Sequence, residues 1–408
     1  MTPLTSVSLG LLRAATRAAD EGRVLARRAE PFVPAAVQHA IREPLFALTQ
    51  QVLQATLPEQ PTSPAQETLL PNEEQLIDAV IEQFRSFLHR TYAPGQALRA
   101  GNTKTYGLVR ATLAVSGDLP APFRHGLFAE PRTYRCWVRF GGPGPLAPPD
   151  IDDFGVLSLA VKVLGVPGPK LIDDEHHTQD LFGLTSRVFT TRDLATNLNL
   201  HRWNFDGAAL GHFLHPRNPH LSELVLQAVE ARVHSSPLET PYWSCVPYLL
   251  GEGRAMQYRF CPQAPCRTPV PLHPPPDYLR DAMRTTLDHH GVSFDLCVQR
   301  QTDPARMPIE NASVVWPDAL SPPVKVATLH IPEQRFDSPQ QEAFAGNLSF
   351  NPWHAVPEHR PLGSLNRARR RLYLELSAER QAMNSEARIE PTGDEAFPGS
   401  PPLPTPAS

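Results

Sequence analysis

The sequence predicts an α+β fold in which an antiparallel β-sheet, arranged as a barrel or a sandwich, is accompanied by helices. Runs rich in β-branched and aromatic residues follow one another between Lys104 and Thr191, each bounded by Gly, Pro or Asp. Amphipathic helical patterns precede and follow these runs. A chain of 408 residues is also long enough to bury a large core without metal or disulfide staples.

The N-terminal region divides into a helical extension and a linker. Residues 1–57 are rich in Ala, Arg and Leu, with apolar positions at helical spacing. This extension is interpreted as a helix docked on the domain surface, and the alternative is a helix lying on a membrane surface. Residues 58–72 are rich in Pro, Gln, Ser and Thr and predict a linker without buried apolar surface.

One domain is predicted over residues 73–389, followed by a disordered Pro-rich tail at 390–408. Helices are predicted at 220–234, 277–291 and 361–383. Strands are predicted at 106–115, 134–140, 156–166, 187–191 and 324–332.

Composition excludes several classes of function. The formal net charge of -4 argues against a nucleic-acid partner, which needs a basic surface. The sequence contains no run of 18 apolar residues, which a membrane-spanning helix would need. Five sparse cysteines indicate a reducing compartment, so we expect a cytoplasmic protein, and no second ligand pair accompanies Cys261 and Cys266 at zinc-site spacing.

The helix predicted at 361–383 places one phenol between two guanidiniums. Arg369 and Tyr373 are four residues apart and Arg380 lies seven beyond Tyr373, so all three share a helical face. A neighbouring cation favours the phenolate, which is the form of tyrosine that ligates ferric iron. The alternative is an ordinary solvated basic face with Tyr373 packed inward.

Several motifs, in the same order along the chain, resemble those of the catalase superfamily. The C-terminal run NLSFNPWHAVPEHRPLGSLNRARRRLY resembles that of its small catalase-related haem proteins. The other matching motifs are Arg99-x-x-Asn102-x-Lys104-x-x-Gly107, Val138-Arg139-Phe140, the strand 157–166, Asp180-Leu181 through Phe189-x-x-Arg192-Asp193, and Arg369-x-x-x-Tyr373 with Arg380.

The resemblance implies a catalase-like antiparallel β-barrel surrounded by helices and a b-type haem. By this resemblance Tyr373 would hold the iron as a phenolate and Arg369 would stabilise that charge. Arg99, Arg139 and Arg380 match the family's propionate-pairing arginines, and guanidinium–carboxylate pairing gives a physical reason for them. Homo-oligomers are also common in the family.

Two departures from the family pattern change the expected chemistry. Asn102 stands at the position of the distal histidine and Leu184, followed by Thr185, at that of the distal asparagine. A carboxamide cannot shuttle the proton that rapid hydrogen peroxide dismutation requires, and losing such a group costs about 10²- to 10⁴-fold. The resemblance then favours an enzyme of organic, lipid-like hydroperoxides, with Asn102 orienting the peroxide and Thr185 donating a second hydrogen bond.

An acidic and histidine-rich segment, Asp173 to Asp180, admits other interpretations. Its carboxylates and the imidazoles of His176 and His177 predict either a metal site or a solvated loop. A third interpretation lets His176 or His177 replace the missing distal base. His354 and His359 are interpreted as packing residues.

Two alternatives to the enzyme hypothesis stay open from the sequence. The first is a haem carrier or sensor that keeps Tyr373, Arg369 and the propionate arginines without catalysis. The second is a haem-free structural descendant of the fold. A lipid-like substrate would make a peripheral membrane role for residues 1–57 more plausible.

Overall fold

The computed structural model describes residues 6–264, 268–400 and 402–403 of the chain. The strands are β1 Thr105–Val115, β2 Thr133–Gly141, β3 Ser158–Leu164, β4 Thr178–Leu184, β5 Tyr242–Trp243, β6 Tyr248–Leu249, β7 Ala255–Pro262, β8 Val292–Arg300 and β9 Val324–Ile331. The helices are α1 Ser6–Ala29, α2 Ala35–Ala55, α3 Glu73–Thr91, α4 Leu194–Phe205, α5 Leu210–Phe213, α6 Leu221–Glu230, α7 Tyr278–Leu287, α8 Pro339–Asn347 and α9 Ser364–Met383.

Eight of these strands close into an antiparallel barrel. The strands pair in the order β5-β4-β3-β2-β1-β9-β8-β7, and β5 pairs with one end of β7 to complete the ring, while β6 pairs with the other end of β7 on the same edge. Closure leaves no long edge with unpaired backbone groups. The predicted α+β class and the antiparallel β-barrel accompanied by helices are confirmed.

The barrel interior is filled by alternate residues of the strands. Val109, Val138 and Val161 lie in register on β1, β2 and β3 and are fully buried in the main core. All seven residues of β3 are buried, including those on its outer face. Other parts of the chain cover this outer face, and the candidate site is a cavity that remains between them and the sheet.

The sequence pattern predicts the strands β1, β2, β3 and β9 close to their observed bounds. The strand predicted at 187–191 is wrong, because these residues are irregular and the neighbouring strand is β4. Five strands, β4 to β8, were not predicted. Within β4 and β7, polar residues interrupt the apolar pattern, so single-sequence periodicity gives little signal.

The linker and the tail also differ from their predicted behaviour. In the segment 58–72, the Glu67 carboxylate pairs with Arg360 at 2.7 Å and with Arg367 at 2.6 Å, which ties the segment to the domain. In the tail, Glu395 accepts a hydrogen bond from the Trp137 indole at 3.1 Å. Composition missed both attachments because each depends on a partner far away in the sequence.

The N-terminal extension is helical, and four of the five cysteines lie among the described residues. The extension forms α1 and α2, and within the described ranges no helix has the length and apolar character needed to cross a membrane. Cys136, Cys245, Cys261 and Cys297 are free thiols. Cys266 lies outside the described residues.

Candidate functional site

A cavity of about 390 Å³ lies between the outer face of the barrel and three helices. The barrel wall is built from β2, β3 and β4, whose register aligns Arg139, Ala160 and Phe182 in one row. The small Ala160 side chain in the middle of this row leaves room above the sheet. Residues of α3, α4 and α9 complete the lining, which is mostly apolar.

Helix α9 directs Arg369, Tyr373 and Arg380 into this cavity. Its outer side is held by ion pairs, among them Arg367 with Glu73 at 2.6 Å, and this pairing fixes the rotation of the helix. The shared face inferred from the spacing is therefore present. It faces a cavity and not solvent, so the alternative of a solvated basic face does not describe this helix.

Arg369 and Tyr373 are neighbours inside the cavity. The Arg369 guanidinium lies 5.9 Å from the centre of the Tyr373 ring and donates a hydrogen bond to Asn366 at 3.1 Å. Burial lowers the pKa of Arg369, but the adjacent phenols, with Tyr373 first, raise it above its usual value. Arg369 therefore stays protonated, and its guanidinium lies beside the Tyr373 ring.

Three further arginines, Arg99, Arg139 and Arg380, meet in the same cavity. Their contacts are mostly with backbone carbonyls: Arg99 donates to Ala345 at 2.9 Å, and Arg380 to Asn347 at 3.1 Å. Arg139 and Arg380 are only 3% and 4% exposed. The structure thus brings together three arginines predicted from positions 40 or more residues apart in the sequence.

These three guanidiniums lack the acidic partners that buried arginines usually have. No carboxylate lines the cavity, and within the described chain their one ion pair is a distant one, Arg380 with Glu386 at 3.9 Å. Burial, with repulsion from Arg380, lowers the pKa of Arg139 to about 10. Burial and the charges of Arg139 and Arg380 lower the pKa of Arg99 as well. Such a cluster suits a ligand carrying more than one negative charge.

Asn102 occupies the cavity in a left-handed backbone conformation, with φ of 52°. Asparagine is one of the few residues with a side chain that adopt this region readily. Its backbone carbonyl accepts a hydrogen bond from Arg139 at 2.6 Å, whereas its side-chain oxygen is buried with no hydrogen-bond partner among the residues that the structure describes. Leu184 also lines the cavity. A buried, unpaired amide oxygen is a group that a bound ligand can satisfy.

Thr185 does not line the cavity with the other predicted residues. Its hydroxyl oxygen accepts a hydrogen bond from the Leu157 amide at 2.9 Å and lies 3.2 Å from the His234 ring. Burial lowers the pKa of His234 to about 3, so this imidazole is neutral. The hydroxyl is engaged on the far side of the wall, and Thr185 is not placed to donate a hydrogen bond to a ligand in the cavity.

His201 of α4 is a cavity residue that the sequence did not indicate. Within the described part of the chain it is the one histidine that lines the cavity, and its ring packs against Phe84, with centres 4.7 Å apart. Burial, assisted by the charge of His212, lowers the pKa of His201 to about 4, so the imidazole is neutral at pH 7. Asn197, one turn earlier on the same helix, also lines the cavity. In the sequence, the four-residue spacing of Asn197 and His201 was the only indication of this pair.

The acidic segment leading into β4 is neither a solvated loop nor a base for the cavity. His176 and His177 are exposed and do not line the cavity. Glu175 and Asp180 are fully buried around Lys162, whose ammonium lies 2.9 Å from Asp180. His354 joins them at 2.8 Å from Asp180. Glu175, Asp180 and His354 are close enough to bind a metal ion, but the Lys162 ammonium already provides a cation there.

A second histidine cluster lies behind α4. The rings of His212 and His220 stack 4.2 Å apart, and the Glu223 carboxylate accepts from them at 2.8 and 3.2 Å. These three side chains could also reach a common metal ion. The stacked rings place their nitrogens side by side, however, and this suits two N–H donors to one carboxylate better than one tetrahedral centre.

His354 gives a pH-dependent contribution to stability. Burial and Lys162 lower the pKa of His354, but hydrogen bonds to Asp174 and Asp180 raise it above its usual 6.5. A raised pKa adds stability that is complete below pH 6.5 and is lost as the pH rises through the folded-state value. Between pH 5.5 and 8.5 we therefore expect the free energy of unfolding to fall in the wild type relative to His354→Gln, by about 1.4 kcal/mol per unit of pKa shift.

Urea unfolding at several pH values measures this difference. Asp174, whose pKa is lowered mainly by its hydrogen bond to His354 despite burial, stays ionised over this range and does not obscure it. His273→Gln, at an exposed position, serves as the control. Parallel pH profiles for the wild type and His354→Gln would contradict the assignment.

Comparison with solved structures identifies the class of fold. The structure is similar to that of a fungal catalase solved at 1.9 Å, with a TM-score of 0.54 and 15% sequence identity over 84% of this chain and 72% of that one. A bacterial catalase is similar with a TM-score of 0.52 and 14% identity, over 86% and 70% of the two chains. No protein-family model matches the sequence, and no curated protein is similar to it at a significant level. The protein therefore has a catalase-like fold.

Proposed function

We propose that this protein binds haem b in the cavity and acts on organic, lipid-like hydroperoxides, with weak or no hydrogen peroxide dismutation. The observation that carries the proposal is the meeting of Arg99, Arg139 and Arg380, without a carboxylate in the lining, in the same cavity as Tyr373. A haem presents two propionates and one iron, and these residues supply complementary groups for both.

The residues present fit this cofactor. Arg99, Arg139 and Arg380 would pair with the propionates, whose negative charge would relieve the mutual repulsion of the guanidiniums. Tyr373 would hold the iron through its phenolate, and the protonated Arg369 beside it would stabilise that charge. When bound, the haem iron supplies the redox chemistry for cleaving an O–O bond.

The chain's own groups around the substrate favour an organic hydroperoxide. Asn102 would orient the peroxide through its buried amide, but it cannot accept and return a proton as histidine does. Helices α3 and α4 contribute apolar side chains to the lining, Phe84, Leu200 and Phe205 among them, and these suit an alkyl chain. The neutral His201 imidazole would accept a hydrogen bond from a hydroxyl or hydroperoxyl group there.

The first test is the absorption spectrum of the protein expressed with ample haem, compared with that of Tyr373→Phe. We expect a Soret band at one haem per chain in the wild type and its loss or displacement in the variant, because phenylalanine removes the iron-binding oxygen. Tyr134→Phe, which replaces a buried tyrosine outside the cavity, should leave the spectrum unchanged.

Activity assays on the same samples separate the alternatives. Consumption of a fatty-acid hydroperoxide with little oxygen release from hydrogen peroxide would support the proposed enzyme. Stoichiometric haem without turnover of either peroxide would indicate a haem carrier or sensor. Absence of haem from the wild type would reject the proposal and leave a haem-free protein of the same fold.

A further inference from the structure

The exposed face of α2 carries no charged residue. The two charged residues of the helix both turn toward the protein, where each forms an ion pair. Arg42 binds Glu30 at 3.0 Å and Glu43 binds Arg187 at 2.7 Å. The exposed positions are instead almost all apolar, with His39 and Gln51 as the polar exceptions. The apolar members are Ala35, Ala36, Val37, Ala40, Ile41, Pro44, Leu45, Ala47, Leu48, Val52 and Ala55.

Large and small side chains are sorted into two rows on this face. Five branched side chains, exposed by 43% to 58%, form one row, because successive members are three or four residues apart and an α-helix turns once in 3.6 residues. They are Val37, Ile41, Leu45, Leu48 and Val52. At about 100° per residue, Ala36, Ala40 and Ala47 lie together beside this row. The face therefore consists of a ridge and an adjacent shallow groove.

In the described chain no residues cover this face of α2, whereas the opposite face packs against the rest of the protein. On the inner side, Phe46 is buried in a cluster with Val188, Leu226 and Val229, and α2 packs along α6. The longest run of the chain outside the described residues is five residues long. Five residues extend over at most about 18 Å, whereas a 21-residue helix is about 32 Å long.

The chemistry of the face favours a protein partner over a lipid surface. Helices that lie on membranes combine an apolar face with flanking Lys or Arg and often with Trp, which contact the headgroups. The exposed positions of α2 include none of these residues. Alanines beside larger aliphatic side chains, in contrast, allow another helix to approach closely and interlock ridge with groove.

We propose that α2 is the contact surface for a second copy of this chain. About a two-fold axis parallel to the helix, the row of Val37, Ile41, Leu45, Leu48 and Val52 in one copy faces the alanine row of the other, so one sequence supplies both complementary surfaces. The absence of charge on the face means that the pairing buries no unpaired ion. Phe32, 64% exposed just before α2, extends the patch.

The test is the oligomeric state of the full chain, measured by sedimentation velocity over a range of concentrations. We expect a dimer for the wild type and a monomer for Ile41→Glu/Leu48→Glu, with the dissociation constant raised by roughly a hundredfold or more because two charges per copy would be buried without partners. Leu272→Glu, which places a charge at a residue exposed by 72% outside α2, should remain dimeric.

Two further measurements control for misfolding of the variant and for binding to lipid. Circular dichroism and thermal unfolding should show that Ile41→Glu/Leu48→Glu is folded, since both side chains are exposed in one copy. Flotation with vesicles of phosphatidylcholine alone, and with added phosphatidylglycerol, tests the lipid alternative. A monomeric wild type, a dimer that survives the double substitution, or vesicle binding that the double substitution abolishes would each overturn the proposal.

Discussion

Replacing Asn102 by histidine is expected to raise the rate of hydrogen peroxide dismutation by the haem-loaded protein by about 10²- to 10⁴-fold. The imidazole, with an ordinary pKa near 6.5, can take a proton from one peroxide oxygen and return it to the other, which the carboxamide cannot do. The backbone favours the exchange, because histidine is among the residues enriched at positive φ and position 102 has φ of 52°.

Oxygen release from hydrogen peroxide measures this gain, with haem content determined on the same samples. Asn102→Ala removes the amide without adding a base and should leave dismutation slow. The double variant Asn102→His/Leu184→Asn restores a polar group on β4 at the other departure from the family pattern, so it should be at least as fast as Asn102→His. A fully haem-loaded Asn102→His as slow as the wild type would contradict the role given to residue 102.

The sequence contained enough information to predict the site-bearing helix but not the cavity around it. Helical spacing alone put Arg369, Tyr373 and Arg380 on one face of α9, and the structure has them there. Arg99 and Arg139 could be added only through the resemblance to catalases, because their approach to α9 depends on the register of β2 and on the turn at Asn102. Strand register joins residues that are distant in sequence, and no local pattern records it.

The failures of sequence reasoning have the same physical origin. Thr185 was assigned to the cavity by its neighbourhood to Leu184, yet adjacent residues point in opposite directions where a strand ends. The sequence of Asp173 to Asp180 predicts a metal site or a solvated loop, because the partner of Glu175 and Asp180, Lys162, comes from the preceding strand. A run of charged residues indicates solvent exposure only when no oppositely charged side chain is buried against it.

Lys162 connects the barrel to the wall of the cavity. Trp137, Lys162 and Asp180 lie side by side on β2, β3 and β4. Asp180 accepts a hydrogen bond from the Asn351 backbone at 2.8 Å, and the Asn351 side chain donates to the Arg370 carbonyl of α9 at 3.1 Å. The charged cluster therefore holds the segment that passes between the barrel and α9, next to Arg99 and Arg380.

Lys162→Met is accordingly expected to lower the free energy of unfolding by about 3–5 kcal/mol, the usual cost of removing one partner from a buried ion pair. Glu175 and Asp180, which have no exposed side-chain surface, would lose the ammonium between them and keep His354 and the more distant Arg388 as their cationic partners. Lys325→Met is the matched control: Lys325 pairs with Asp295 at 2.7 Å but is 44% exposed, so its loss should cost only about 0–1 kcal/mol.

Urea unfolding followed by circular dichroism measures both variants, and haem binding reports on the cavity. Because Asp180 positions Asn351, the lysine variant should also bind haem less tightly than Lys325→Met does, even under conditions where it remains folded. Adding Glu175→Gln and Asp180→Asn to Lys162→Met removes the uncompensated charges and should recover part of the lost stability. Equal stability of Lys162→Met and Lys325→Met would show that the buried ammonium does not hold this part of the fold together.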